Sequence, residues 1–392
     1  MHNYCYLIVG AGMAADAAVK GIREIDANGS IGIIGQESYP PYARPPLSKK
    51  LWQGKKLESI WLGTEGTGVT IHTGRRAAAL NVATREISDD RGDTYHYDRL
   101  LLATGGIPRR LPFGEDDVIY YRTLDDYNRL RELSDAEGKT VVIGGGFIGS
   151  EIAAALAMNN RDVTMIFPEA GIGSRVFPAD LAAFLTGFYH EKEVEVISGE
   201  TVTDIRQSIN NKVVTIGNGR EIMAEGVVAG LGIQPNIQLA HLSGLPVGNG
   251  IEVDQLLMAG APEIFAAGDV ASFFNPAIGE RIRPEHEDNA VAMGRQAGRN
   301  MAGAAEPYHH LPFFYSDLFE LGYEAVGILD SRLETVADWL EPYRKGVVYY
   351  LREGRVCGVL LWNVWKQVDA ARQLIAEPGP FRASDLMKRL PL

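Results

Sequence analysis

The chain has 392 residues, more than a single hydrophobic core accommodates, so two or three domains are expected. Its 50 acidic side chains outnumber the 38 basic ones, a formal charge of −12, which argues against nucleic acid or an anionic membrane surface as a general partner. Two cysteines, Cys5 and Cys357, exclude a disulfide framework and a cysteine-based metal site, and no apolar run approaches the roughly 18 residues of a membrane-spanning helix.

Taken in order, Tyr4–Val9 predicts a strand that begins almost at the first residue. No targeting segment is expected before it, which suggests a cytoplasmic protein. The strand runs into Gly10-Ala11-Gly12-Met13-Ala14-Ala15, a helix follows to about Ile25, and Ile31–Ile34 returns as a second strand. This is a βαβ unit with a Gly-x-Gly-x-x-Ala turn. The first glycine permits the tight turn and the second lets backbone approach a pyrophosphate, while the third position needs only a small residue. The pyrophosphate then meets the free N–H groups and positive dipole end of the helix. At the N-terminus of a chain this motif points to FAD. Gln36 stands where an acidic residue usually meets the ribose, with Glu37 next to it.

From Pro40 to Pro46 the chain reads as a loop stiffened by proline. Residues 69–104 read as short strands, ending in an apolar run and Ala103-Thr104-Gly105-Gly106. A second βαβ unit follows: Val141-Val142-Ile143, then Gly144-Gly145-Gly146-Phe147-Ile148-Gly149, an alanine-rich helix, and the strand Val163–Phe167. Two fingerprints in one chain imply two dinucleotides. Glu169, just past that last strand, would accept from an adenosine 2′-OH and repel a 2′-phosphate, so NADH is expected over NADPH; Arg175 lies close enough to soften the discrimination. Gly268-Asp269 follows another apolar strand, where a carboxylate would meet the ribitol of FAD. Beyond Pro312 the pattern becomes β-rich and closes with a helix near 366–376. The simplest division is a FAD-binding domain (1–115 and 245–311), an NAD-binding domain inserted in it (116–244) and a C-terminal domain (312–392).

Several further stretches carry a resemblance. Pro41-Tyr42-x-Arg44-Pro45-Pro46-Leu47-Ser48-Lys49, Ala103-Thr104-Gly105-Gly106-x-Pro108-Arg109, Phe167-Pro168-Glu169, Glu285-His286-x-Asp288-x-Ala290, Tyr315-Ser316-Asp317-Leu318, Gly322-Tyr323-Glu324-Ala325 and Leu361-Trp362-Asn363 occur in one order along nearly the whole chain. The sequence resembles the apoptosis-inducing factor family within the wider group of FAD-dependent ferredoxin and rubredoxin reductases. That resemblance implies an α/β fold with two Rossmann-like domains of the glutathione-reductase type and an α+β C-terminal domain. It implies FAD contacts from Arg44, Lys49, Arg122, Asp269, His286, Glu287 and Asn363, with Ala78 and Arg109 in the cofactor-binding set. It places Gly145–Ile148, Glu169, Arg175, Gly232, Glu285, Tyr315 and Glu324 at the dinucleotide, and an ion pair between Lys49 and Glu151 beneath the flavin. Tyr315 stands where the family usually has Trp, and the long eukaryotic insertion is absent between Asp330 and Gly346.

The residues expected of a disulfide reductase are missing, since Arg44–Lys49 contains no cysteine. The histidines lack metal-ligand spacing, so no metal is expected; His309-His310 reads as a solvated loop pair, and Trp362 and Trp365 as core. The expected enzyme takes a hydride from NADH onto FAD, chemistry that belongs to the cofactors and leaves the protein to position them. Its acceptor would be a small iron–sulfur protein, a quinone or oxygen, and Arg44, Lys49, Lys50, Lys55, Lys56, Arg109 and Arg110 offer a local basic rim. The alternative is a redox-controlled binding protein that NADH reduction switches. The chain would be a monomer or a homodimer.

Overall fold

The structure is a computed structural model describing residues 1–114, 117–135, 138–209 and 211–392. The sequence division at 115/116 lies outside the described residues. Packing separates the chain into two compact units.

The first unit comprises residues 1–44, 58–107 and 234–313. Strand β1 (His2–Val9) enters a helix, α1 (Met13–Ile25), and β2 (Ile31–Ile34) returns parallel to β1. The sheet continues through β3 (Thr70–His72), β4 (Ala77–Asn81), β5 (Glu86–Asp89) and β6 (Thr94–Leu102) in the order β3-β2-β1-β6-β5-β4. The strand Ile264–Ala266 adds to β6 from far along the sequence. Near-continuous apolar runs in β1, β2 and the end of β6 follow from burial on both faces, as parallel strands require. Leu7, Ile8, Ile33, Leu100 and Leu101 are fully buried, each contributing roughly 1.5–3 kcal/mol. On one face α1 packs against the helix Glu287–Met301. Alanine and glycine make that approach close: a Cβ on Gly298 would lie 2.0 Å from the carbonyl oxygen of Ala18.

The second unit comprises residues 45–57, 108–233 and 314–392. Its parallel sheet has the order Glu195–Ser198, Asp162–Phe167, Lys139–Ile143, Gly226–Ala229, Ile119–Tyr120. The helix Phe147–Met158 connects the second and third of these. A three-stranded antiparallel sheet (202–207, 212–216, 221–224) lies in the same stretch of chain. The C-terminal part is a five-stranded antiparallel sheet ordered Phe313–Leu318, Leu321–Gly327, Arg355–Trp362, Lys345–Arg352, Glu334–Glu341, with the helix Val368–Ala376 against it. This is the expected α/β architecture of two dinucleotide-binding folds with an α+β C-terminal part. In each parallel sheet the strand before the fingerprint has neighbours leading in opposite directions, so each Gly-rich turn stands at a topological switch point, where such sheets bind ligands.

Candidate active site

In the first unit, Gly10 follows β1 with φ +111°, and a Cβ there would lie 2.1 Å from the carbonyl oxygen of Ala103. Only glycine fits. Gly12 caps α1 without any side-chain hydrogen bond, and a Cβ on it would meet nothing within 4 Å. Ala11, Gly12, Met13 and Ala14 therefore form an open helix start whose first N–H groups suit an anion. A pocket beside it is lined by Gly10, Gln36, Arg75, Ala78 and Thr104 among others, so the structure brings Gly10, Gln36 and Ala78 together. Arg75 is held by Asp89 at 2.8 Å and by Asp93. Glu37 is engaged elsewhere, accepting from the Tyr42 hydroxyl at 2.5 Å and pairing with Arg44. Burial works against the Arg44 charge, but Tyr42, Glu37 and Asp269 outweigh it and hold the guanidinium above its ordinary pKa.

Asp269 follows Gly268 at the end of Ile264–Ala266, and its backbone carbonyl accepts from Arg283 at 2.9 Å. Arg283 also pairs with Glu285 at 2.6 Å. Next along the chain, His286 caps the helix that opens with Glu287. Desolvation pulls His286 down to about 4, against the nearby Asp269 and Asp288, so it is neutral at physiological pH. His310 departs from expectation. It is not a solvated loop residue, because its Nε2 lies 2.5 Å from Asp288, which also accepts from the Phe313 N–H at 3.2 Å. Nothing local to either residue announces that clasp, formed across 22 residues.

The second unit repeats the cradle. Gly144 has φ +115°, and Gly146 caps the helix Phe147–Met158 with no side-chain bond. Gly145 is buried, while Gly146 and Ile148 are exposed beside Phe147 at the helix start. Beyond the next strand, Glu169 pairs with Arg175 at 2.5 Å, and Arg175 is largely exposed. Gly232 accepts from the Arg109 N–H at 3.0 Å, placing those two expected residues together. The Arg109 side chain itself is exposed, and the Arg122 N–H is spent on Asp126 at 3.0 Å.

One turn into the helix, buried Glu151 meets buried Lys49 at 2.8 Å. The loop carrying Lys49 is pinned by the Leu47 carbonyl, which accepts from Tyr121 at 2.5 Å and from Trp52 at 2.8 Å. Lys49 Nζ lies 5.1 Å from the centre of the Tyr315 ring. Ser48 and Ser316, not singled out in the sequence, hydrogen-bond the Glu151 carboxylate. Glu324, on the strand Leu321–Gly327, has one carboxylate oxygen buried without a partner, and burial raises its pKa against a Lys366 N–H bond. Asn363, at φ +50°, accepts from the Gly322 N–H at 2.8 Å and donates to the Arg344 carbonyl at 2.9 Å, so both ends of its amide are engaged. Trp362 is core, stacked on Tyr323 at 5.7 Å. Trp365 is not: it is 46% exposed, with its ring over Gly322, because the loop after the strand turns it outward.

These residues suit the two groups. Each open helix start offers backbone donors to a pyrophosphate, Asp269 offers a carboxylate to hydroxyls, and the orphaned Glu324 oxygen asks for a hydrogen-bonding ligand. The family model described as pyridine nucleotide-disulphide oxidoreductase matches residues 4–294. The chain belongs to that family. A second model, described as apoptosis-inducing factor, mitochondrion-associated, C-term, matches residues 297–342 and 338–377. The chain is 34% identical to apoptosis-inducing factor 1, mitochondrial, of Dictyostelium discoideum over 96% of this chain and 79% of that protein. It is 31% identical to the anthranilate 1,2-dioxygenase system ferredoxin–NAD(+) reductase component of Burkholderia cepacia over 97% of each. A solved covalent putidaredoxin reductase–putidaredoxin complex superposes with TM-score 0.90 at 30% identity, covering 98% of this chain and 95% of that one.

This member is an FAD-dependent oxidoreductase that takes hydride from NADH and passes the electrons to an acceptor. When bound, FAD supplies the hydride-accepting chemistry. The family name mentions disulphides; in this chain Cys5 lies on β1 and Cys357 on Arg355–Trp362, and both are free thiols. Among the described residues no helix is long and apolar enough to cross a membrane.

Proposed function

We propose that the chain reduces a small iron–sulfur protein of the ferredoxin type, using NADH in preference to NADPH. The observation that carries the donor preference is the place of Glu169, two residues past Asp162–Phe167 and paired with Arg175, from which a carboxylate would accept from the hydroxyls of an adenosine ribose and oppose a 2′-phosphate. The acceptor reading is supported by the ferredoxin–NAD(+) reductase relative and by the putidaredoxin complex, both aligned over nearly the whole chain. In this reading Lys49 and Glu151 are the pair that sets the charge beside the flavin, and the three-domain division of the sequence describes the functional parts. Asp269, His286, Glu287, Arg44, Arg122 and Asn363 hold FAD, while Gly145–Ile148, Glu169, Arg175, Gly232, Glu285, Tyr315 and Glu324 hold NADH.

Lys50, Lys55, Lys56, Arg109 and Arg110 are exposed and all belong to the second unit. They give an acidic acceptor a local positive field that the net charge of −12 does not. Arg44 and Lys49 are turned inward and drop out of that rim. Steady-state reduction of a ferredoxin at low and high salt tests the docking: the rate falls as ionic strength rises through a Debye length of about 8 Å. A flat salt profile, or brisk quinone reduction with no iron–sulfur turnover, rejects it. The match to the apoptosis-inducing factor C-terminal model favours a second reading, a redox-switched binding protein. Rapid multiple turnover with a protein acceptor discards that one.

A further inference from the structure

Glu151 is 4% exposed and accepts three hydrogen bonds from side chains. Its Oε1 takes Lys49 Nζ at 2.8 Å and Ser316 Oγ at 2.6 Å, and its Oε2 takes Ser48 Oγ at 2.5 Å. Ser48 and Ser316 are themselves about 5% and 1% exposed. A buried carboxylate with an empty oxygen is costly, and a single lysine leaves one oxygen unmet. The serines come from positions 103 residues before Glu151 and 165 after it, and each neighbours a residue assigned to a cofactor: Ser48 precedes Lys49, assigned to the flavin, and Ser316 follows Tyr315, assigned to the dinucleotide.

We propose that Ser48 and Ser316 are positioning residues that fix how much of the Lys49 charge remains available beside Tyr315. The inference rests on the reading of Lys49 and Glu151 as the flavin-facing pair. Charge-assisted hydroxyl donors share the carboxylate's negative charge among three partners. Without one of them the carboxylate leans harder on the ammonium, which then offers less positive potential to its surroundings. Electron density arriving on a bound flavin is stabilised less, and the flavin becomes harder to reduce.

A purely structural role predicts something different: removing a hydroxyl lowers stability and leaves the flavin potential alone. The FAD-loaded full chain is therefore compared as Ser316→Ala, Ser48→Ala and Ser316→Thr, measuring the flavin midpoint potential and the melting temperature of each. Either alanine variant is expected to lower the potential by about a tenfold change in the oxidised-to-reduced ratio, about 30 mV for a two-electron couple. The threonine variant, which keeps the hydroxyl, returns close to the native value. In a Lys49→Ala background the Ser316→Ala shift disappears, because the serine acts only through that ammonium. Folded alanine variants with native potential overturn the proposal, as does a shift that persists without Lys49. Should Ser316→Ala fail to fold, Ser48→Ala and its Lys49→Ala double variant decide the matter. A native potential in Lys49→Ala alone removes the underlying reading of the pair, an outcome distinct from the serines failing while Lys49 matters.

Discussion

The two glycine fingerprints occupy equivalent places in their sheets and differ in what surrounds them. After β2 the first presents neutral Gln36 to its pocket, because Glu37 is committed to Tyr42 and Arg44. After Asp162–Phe167 the second presents Glu169, whose carboxylate pairs with the exposed Arg175. At the third fingerprint position the first tolerates Ala15, whereas a Cβ on Gly149 would lie 1.9 Å from the Gly144 carbonyl oxygen. The first site thus interlocks Glu37 with Tyr42 and Arg44 and suits a resident group. The second carries one ion pair that, on the proposed reading, discriminates between dinucleotides, as befits a group that enters and leaves each turnover.

The largest effect should separate the two cradles. Gly10→Val combines positive φ with a backbone clash and should yield folded or partly folded protein without flavin absorbance, FAD affinity falling by about a hundredfold or more. Gly149→Val should keep the flavin colour and lose NADH, with KM for NADH rising by about a hundredfold in stopped-flow reduction. Colour lost in both variants would erase the distinction.

The ion pair sharpens the comparison further. Glu169→Ala should raise kcat/KM for NADPH by roughly tenfold, since the like-charge opposition is gone and Arg175 is freed to meet the phosphate. Arg175→Ala should tighten the preference for NADH. Unchanged NADPH kinetics in both would move discrimination elsewhere.

Lys49→Ala should shift the flavin potential or slow flavin reduction more than Lys50→Ala, because Lys49 is buried against Glu151 while Lys50 is exposed. At about 4 Å and an effective dielectric near 20 such a pair is worth roughly 4 kcal/mol before desolvation is subtracted. Matching redox titrations would make Lys49 an ordinary buried lysine.

The smallest effect is a pH dependence confined to the first unit. His286 is depressed to about 4, so the unfolded chain binds its proton first as pH falls. Its contribution to stability is intact above the ordinary histidine pKa of about 6.5 and is lost as pH falls from there through 4, by roughly 1–2 kcal/mol after allowing for partial exposure. Denaturant midpoints across that window should fall less steeply for His286→Gln than for the native chain.

Much of this was legible in the sequence because it is local. Strand, turn and helix follow one another at both fingerprints, and Glu169 sits at a fixed offset from the second. What escaped detection depends on long-range closure. Nothing near Ser48 or Ser316 announces Glu151, and the Asp288 clasp made His310 a partner rather than a solvated residue. Trp365 departs from the core because apolar character says little about which way a loop turns after its strand; Trp362, inside that strand, is buried as its place in the strand requires.

The interrupted first unit also has a consequence for synthesis. Its sheet waits for Ile264–Ala266 and its helix α1 for Glu287–Met301, both made long after β6. At about 5–20 residues per second, the interval between β6 and that last strand is roughly 8 to 30 s. During it α1 lacks the helix Glu287–Met301 that it packs against, while the parallel strands at 119–229 can already pair with one another. All strands of the second parallel sheet are therefore made before the last strand of the first, reversing the order in which their opening strands are made.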